Sequence, residues 1–164
     1  MASNPPSTCC TIGVKHEYVS PTHRSTSHLL TPTSGEPTGS SIKISGTDAY
    51  VAEPKDTTVH AETAILYLAD VIGIWQNSKL MADQYAANGY YTLMPDLFNG
   101  DALGLNHPAG FDFMAWLTTG SDGKNPHTTQ AVDPVVEKSI AFLREKGFKK
   151  IAAVGYCFVS LWKR

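Results

Sequence analysis

Three short, continuously apolar runs dominate the chain: Ala64-Ile65-Leu66-Tyr67-Leu68-Ala69, Tyr90 to Met94 closed by Pro95, and Ile151-Ala152-Ala153-Val154. A strand that shows no polar alternation is one whose two faces are both covered. Between the first and second runs, Leu80, Met81, Tyr85 and Ala86 recur at helical spacing over Asn77 to Asn88, and Asn88-Gly89 supplies a left-handed stop. Between the second and third, Val132 to Lys146 reads as a helix with Val135, Val136, Ile140 and Leu143 along one side and Gly147 at its end. The order strand, helix, strand, helix, strand calls for right-handed crossovers and a parallel sheet, which places the chain in the α/β class. All three runs are expected to be buried strands, the first of them central.

Ahead of this core, Ile42-Lys43-Ile44-Ser45 and Asp48 to Ala52 alternate around Gly46-Thr47 and predict a β-hairpin whose two strands both lie at a sheet edge. The preceding stretch, Pro21 to Ser41, carries three prolines, two glycines and a run of serines and threonines without a sustained period. It reads as a loop or disordered insert, and its His23 and His28 as solvated side chains rather than ligands. The expected organisation is a flexible segment over residues 1–41, with an insert at about 18–35, followed by one domain over 42–164. Phe111, Phe113, Trp116 and Phe142 sit at spacings that suit core or pocket-wall packing.

Composition removes several function classes. Thirteen basic residues against fifteen acidic ones give a net charge of −2 with no basic stripe, so nucleic acid is not an expected partner. No apolar stretch reaches the roughly 18 residues of a membrane span, and Met1 to Thr11 lacks the basic-then-apolar order of a secretory signal. A cytoplasmic location is the expectation. The three cysteines, Cys9, Cys10 and Cys157, do not pair off, and none stands at zinc-ligand spacing, so neither a disulfide framework, nor a metal site, nor a cofactor is expected.

Chemistry concentrates after the third run, at Gly155-Tyr156-Cys157-Phe158. A strand that turns sharply into a helix at this point lifts its nucleophile above the carboxyl edge of the sheet. The positive end of a following helix would lower the thiol pKa, and the same turn aims a backbone N–H at a developing oxyanion. A buried structural cysteine is the plainer reading of Gly-x-Cys taken alone.

Several stretches, however, are similar in order and spacing to fungal members of the dienelactone hydrolase family. They are Cys9 to Gly13, Leu68-Ala69-Asp70-Val71-Ile72-Gly73-Ile74-Trp75, Gly89-Tyr90, Met94-Pro95-Asp96-Leu97-Phe98-Asn99-Gly100-Asp101, and Val154-Gly155-Tyr156-Cys157-Phe158. The resemblance covers nearly the whole chain outside residues 18–35 and the last six. It implies an α/β-hydrolase fold, here incomplete: a mostly parallel sheet with an N-terminal β-hairpin and flanking helices. It also implies a hydrolase of lactones or related carboxylic esters that uses a cysteine nucleophile, an aspartate and a histidine, with a small-molecule ester or lactone as its substrate. Cys157 matches the nucleophile. Asp70 resembles the carboxylate that neighbours the thiol, although a cap on the turn after its strand explains it equally well. Val71 and Phe158 match the residues whose backbone N–H groups form the oxyanion hole. Asp96 is read as a turn carboxylate.

The pattern breaks twice. The family continues with two glycines after the phenylalanine, whereas this chain has Val159-Ser160 and ends at Arg164, 164 − 157 = 7 residues past the thiol. The resemblance implies that the catalytic aspartate and histidine lie beyond that point, so a truncated and inactive chain is expected. His107 and His127 are read as exposed loop residues rather than substitutes. The second break is Tyr18-Val19-Ser20, where the Pro/Ser/Thr-rich insert begins, and Val-Ser occurs at both breaks and nowhere else. Translated introns opening on an in-frame GT-x-A-G-x would account for both. A non-catalytic α/β binding module with a structural Cys157 is the competing reading. Substrate identity is open, because Arg24, Arg144 and Arg164 lie in the insert, a helix end and the tail, where none is marked as a partner for an acidic lactone; oligomeric state is open as well.

Overall fold

The computed structural model of the chain describes residues 35–55 and 60–158. Five strands, β1 (Ser40–Ile44), β2 (Thr47–Ala52), β3 (Thr63–Leu68), β4 (Tyr91–Pro95) and β5 (Lys150–Gly155), form one sheet in the order β1-β2-β4-β3-β5. β1 and β2 form the expected hairpin, and β2 runs antiparallel to β4, while β4, β3 and β5 are mutually parallel. The sheet is therefore mixed, with a parallel half that holds the three apolar runs. Among the described residues three helices accompany it: α1 (Gln76–Ala87), α2 (Phe113–Thr119) and α3 (Thr129–Glu145).

The order follows from handedness. The chain moves from β3 to β4 on one side and then from β4 back across β3 to β5 on the other. Right-handed crossovers in opposite directions require their helices on opposite faces. The core divides accordingly. Ala49, Val51, Ala64, Leu66, Leu68, Tyr91 and Leu93 point to the face covered by Val132 and Leu143 of α3 and by Phe113 and Trp116 of α2. Their strand neighbours Tyr50, Ala52, Tyr67 and Met94 point to the face covered by Ala82 and Ala86 of α1.

Several expectations are corrected. Only β1 is an edge strand of the hairpin; β2 is enclosed between β1 and β4 and is buried along its second half. Ser40 and Ser41, assigned above to the insert, already belong to β1, and Gly39 and Thr38 are tied to the Asp83 carboxylate of α1 through their N–H groups. The buried line of α1 is Ser78, Ala82 and Ala86, not the bulky residues: Met81 is exposed. Small side chains let the helix lie close on the sheet, where Tyr50 and Tyr67 already fill the space. α3 starts at Thr129, ahead of the expected Val132, and buries Val132, Ser139 and Leu143 while Ile140 faces solvent. The Ser139 hydroxyl is satisfied inside the helix by the Val135 carbonyl at 2.7 Å.

The third apolar run differs most. β5 is the last strand of the sheet, and Lys150, Ala152, Ala153 and Gly155 are exposed. The run is apolar because its two faces suit covering layers, yet among the described residues only one flank of the strand is paired, and none of the three helices lies squarely over it.

Cys9, Cys10, His23, His28 and the Val-Ser pairs lie outside the described residues.

Candidate active site at the carboxyl edge of the sheet

The loops that leave β3 and β4 go to opposite faces, the topology in which such sheets bind ligands beyond the carboxyl ends of their parallel strands. Three segments meet there: 69–75 after β3, 96–104 after β4, and 156–158 after β5.

After β3, the chain makes a tight turn. The Asp70 carboxylate accepts from Ile72 N at 3.0 Å, and the Asp70 carbonyl accepts from Gly73 N at 2.9 Å. Gly73 has φ +72, and a Cβ there would stand 2.8 Å from the Cβ of Ala102, so the turn needs glycine for both its backbone and its space. Burial pushes the Asp70 carboxyl above its ordinary range, opposed by the hydrogen bonds from Ile72 and Gly73. Asp70 thus caps the turn and is at the same time a carboxyl held where charge is disfavoured.

Val71 is buried in that turn, and its carbonyl accepts from Leu103 N at 2.7 Å, which locks the β3 loop to the β4 loop. Asp96 is the turn carboxylate expected, accepting from Phe98 N at 2.9 Å and Gly100 N at 2.6 Å.

β5 delivers Cys157 to the same edge. The parallel register sets Gly155 opposite Leu68, so Cys157 and Asp70 each lie two residues beyond the last pair. The ladder is extended by Tyr156 N donating to the Leu68 carbonyl at 3.3 Å. The chain then turns abruptly, with Cys157 at φ +50 and a short helical turn over 157–158. A non-glycine residue in the left-handed region costs about 1–2 kcal/mol, and such residues cluster where function requires the geometry. Cys157 is half-buried, whereas Phe158 is 1% exposed.

Phe158 is anchored from below. Its ring meets Phe98 edge-on at 5.1 Å, and Phe98 in turn contacts Trp116 and His127, each at 5.4 Å. His127 corrects the sequence reading: it is not an exposed loop residue but is 1% exposed, with Nε2 at 2.8 Å from Asp101 Oδ2. Ser121 N donates to the same Asp101 oxygen at 2.8 Å, and Trp116 Nε1 donates to the Asp101 carbonyl at 3.0 Å. Burial would raise the Asp101 carboxyl, but bonds from Ser121 and His127 outweigh it and hold the group below the usual range. The Asp101–His127 pair was missed because its members are 26 residues apart in segments that look like ordinary loops. No spacing rule marks it.

His107, the other loop histidine, is half-buried and stacks on Phe111 at 4.8 Å. His60 stacks on Tyr90 at 4.0 Å just ahead of β3 and β4, at the amino edge of the sheet and so across it from Cys157.

On the other face, Tyr156 packs against Tyr67 at 5.3 Å and its hydroxyl lies 3.0 Å from that of Tyr85. Burial and the Tyr85 contact push the Tyr156 phenol up to about 12. Among the described residues, no three or more His, Cys, Asp or Glu side chains are grouped to hold a metal ion, and no helix is long and apolar enough to cross a membrane.

Residues 47–160 match the model of the dienelactone hydrolase family. The chain is 38% identical to the hydrolase tropI of Talaromyces stipitatus, with 96% of this chain and 56% of that protein aligned. It is 38% identical to the hydrolase pyvD of Aspergillus violaceofuscus over 96% of this chain and 55% of that one. Dienlactone hydrolase 1 of Gibberella moniliformis is 40% identical over 76% of this chain and 48% of its own. The chain therefore spans about half the length of the curated relatives it matches. Among solved structures, a Klebsiella pneumoniae protein assigned as a dienelactone hydrolase superposes with a TM-score of 0.51 at 17% identity, covering 74% of this chain and 49% of the other. That likeness concerns the fold.

Proposed function

The chain belongs to the dienelactone hydrolase family, a family of hydrolases, and from that premise we propose that it carries the nucleophile-bearing part of a site that cleaves a small-molecule lactone or carboxylic ester. The observation that supports this most is the backbone at Cys157: a half-buried cysteine at φ +50, immediately beyond the carboxyl end of a parallel strand. A structural cysteine has no need of that conformation.

The Cys157 thiolate attacks the ester carbonyl carbon, and the carbonyl π electrons move to oxygen. The Phe158 N–H and the Val71 N–H serve that oxyanion, the first on the turn that holds the thiol and the second on the turn that Gly73 and Leu103 fix in place. Collapse expels the alkoxide, which takes a proton, and leaves a thioester on Cys157; water then adds to the thioester and releases the acid. Asp70 is the carboxyl nearest in register to the thiol, and its raised pKa accords with a place in the site.

Ionising the thiol and activating the water need a base, and the departing alkoxide needs an acid; none of the three described histidines supplies either. His60 is at the other edge of the sheet, His107 is stacked on Phe111, and His127 is sealed from solvent on Asp101. The 164-residue chain assayed alone is expected to acylate and then stall. Because no arginine of the described residues is tied to this edge of the sheet, a neutral ester fits the reading as well as an acidic lactone.

Thiol labelling tests the assignment. At neutral pH an elbow thiol reacts with a maleimide or disulfide probe much faster than a buried cysteine. Fast modification at Cys157, mapped by mass spectrometry, is the expected result. Labelling of Cys157 only upon unfolding would instead favour a non-catalytic module with a structural cysteine.

A further inference from the structure

Phe98 lies fully buried in the segment that follows β4. Trp116 and His127 back its ring at 5.4 Å each, and Phe158 meets it edge-on at 5.1 Å. Toward the β3 turn, Phe98 Cδ2 stands 3.6 Å from the place a Cβ on Gly73 would occupy, which is ordinary van der Waals range. One ring therefore sits against both turns that carry the N–H groups assigned to the oxyanion, at Gly73 on one side and at Phe158 on the other.

Each contact bears on one peptide plane. The Asp70 carbonyl and the Val71 N–H belong to a single rigid unit, and Gly73 N donates to that carbonyl at 2.9 Å. Displacing Gly73 tilts the unit and re-aims the Val71 N–H. The Phe158 N–H belongs to the unit that follows Cys157, whose φ of +50 persists only where the surroundings enforce it. The Phe158 side chain, seated on Phe98, ties that unit to the body of the domain. Phe98 is itself held at both ends: its N–H donates to Asp96 Oδ1 at 2.9 Å, and its carbonyl accepts from Asn125 Nδ2 at 2.9 Å.

We propose that Phe98 is a positioning residue whose ring sets the separation of the Val71 and Phe158 N–H groups, and so their fit to an oxyanion. The role rests on the reading of Cys157 as nucleophile with Val71 and Phe158 as oxyanion donors, and it adds a residue that touches no substrate. In a close-packed interior, cutting the ring back leaves space into which the two turns relax only partly. A shift of about 1 Å in such a site costs on the order of 100-fold in rate, but only in a step that develops an oxyanion.

Two reactions of Cys157 separate this role from a merely structural one. p-Nitrophenyl acetate acylates the thiolate through an oxyanion. Iodoacetamide alkylates it by direct displacement: the sulfur–carbon bond forms as iodide leaves with the electrons of the carbon–iodine bond, and no oxyanion develops. Both rates scale with the thiolate fraction, so their ratio cancels a change in thiol ionisation. The two rates are measured on the full 164-residue chain with Cys9 and Cys10 replaced by serine. Phe98→Leu is expected to lower the ratio of acylation to alkylation by at least about tenfold. Leu143→Val trims another fully buried residue, whose carbonyl accepts from Phe148 N beside Tyr91 at the amino end of β4. That control is expected to leave the ratio within about twofold. Phe98→Met refills the volume with a flexible chain, guards against a leucine variant that fails to fold, and is expected to lower the ratio as well. An unchanged ratio in the Phe98 variants, with a parent that does acylate at Cys157, would overturn the positioning role alone. An equal fall in Leu143→Val would mark general loosening and overturn it too. A parent that is alkylated at Cys157 but never acylated would instead overturn the reading of the site, and the role of Phe98 with it.

Discussion

The imidazole of His127 and the carboxylate of Asp101 meet at 2.8 Å, Nε2 to Oδ2, beneath the indole of Trp116 and the ring of Phe98. The pair ties the start of the long β4–α3 excursion to its end, and through Phe98 it supports the ring of Phe158 beside the thiol turn.

Removing either partner strands the other. His127→Phe leaves a carboxylate that retains only its backbone and side-chain bonds from Ser121, and Asp101→Asn leaves a sealed imidazole with a weaker partner. Each should cost about 2 kcal/mol, seen as a drop of several degrees in the thermal midpoint. The pH dependence has a definite sign. Because the folded Asp101 pKa lies below its ordinary value, its contribution is present above the ordinary carboxylate range and is lost as pH falls through the lowered value. Asp101→Asn should therefore flatten the acid limb of the stability curve below about pH 4. An unchanged acid limb would contradict the assignment.

Asp70 behaves in the opposite sense. Its folded pKa is raised, so the protonated form fits best, and its charge costs stability as pH rises through the raised value. Asp70→Asn keeps an acceptor for Ile72 N without the charge and is expected to melt no lower than the parent at neutral pH. Asp70→Ala loses the turn cap as well and should fall by about 1 kcal/mol. Chemical denaturation of the two variants side by side checks the order, and Asn below Ala would be inconsistent with it.

Gly73→Ala puts a side chain on a left-handed backbone and against Ala102. A loss of about 2 kcal/mol is expected from the two effects together. Gly100→Ala, where φ is +84 and no neighbour lies within 4 Å, isolates the backbone part and should cost about half as much. Equal losses would show that the contact with Ala102 is relieved by movement of the loop.

Cys157 carries its own strain. Cys157→Gly relieves the left-handed conformation, while Cys157→Ala keeps it, so the glycine variant should be the more stable of the two by about 1 kcal/mol. Comparison of urea midpoints measures this. An alanine variant that equals or exceeds glycine would mean that the turn at 157 relaxes readily and is not held by its surroundings.

Much of this architecture is legible in the sequence. β3 and β4 are readable because each is covered on both faces and therefore lacks polar alternation, and α1 is readable from its period and its Asn88-Gly89 stop. The exposure of β5 is not legible, since Ile151 to Val154 has the composition of a covered strand and burial depends on what lies alongside it. The buried line of α1 is hidden because Ala82 and Ser78 carry no hydropathy signal, while Met81 and Leu80 do. Of the site, the thiol turn is marked by its position after an apolar run and by family resemblance. The strain at Cys157 and the Asp101–His127 pair are three-dimensional facts: the first depends on a torsion angle, the second on a long excursion folding back on itself.

The most direct test of the nucleophile assignment is acylation. The chain and its Cys157→Ala variant are mixed with p-nitrophenyl acetate, p-nitrophenol release is followed, and the acyl group is located by mass spectrometry. The account predicts a single burst with the acetyl group on Cys157, little turnover thereafter, no burst from Cys157→Ala, and sustained turnover when residues 1–158 are joined to the remaining length of a family relative. Release that is indifferent to Cys157, or an acyl group found elsewhere, would contradict the assignment, and sustained Cys157-dependent turnover by the 164 residues alone would show that they contain a base of their own.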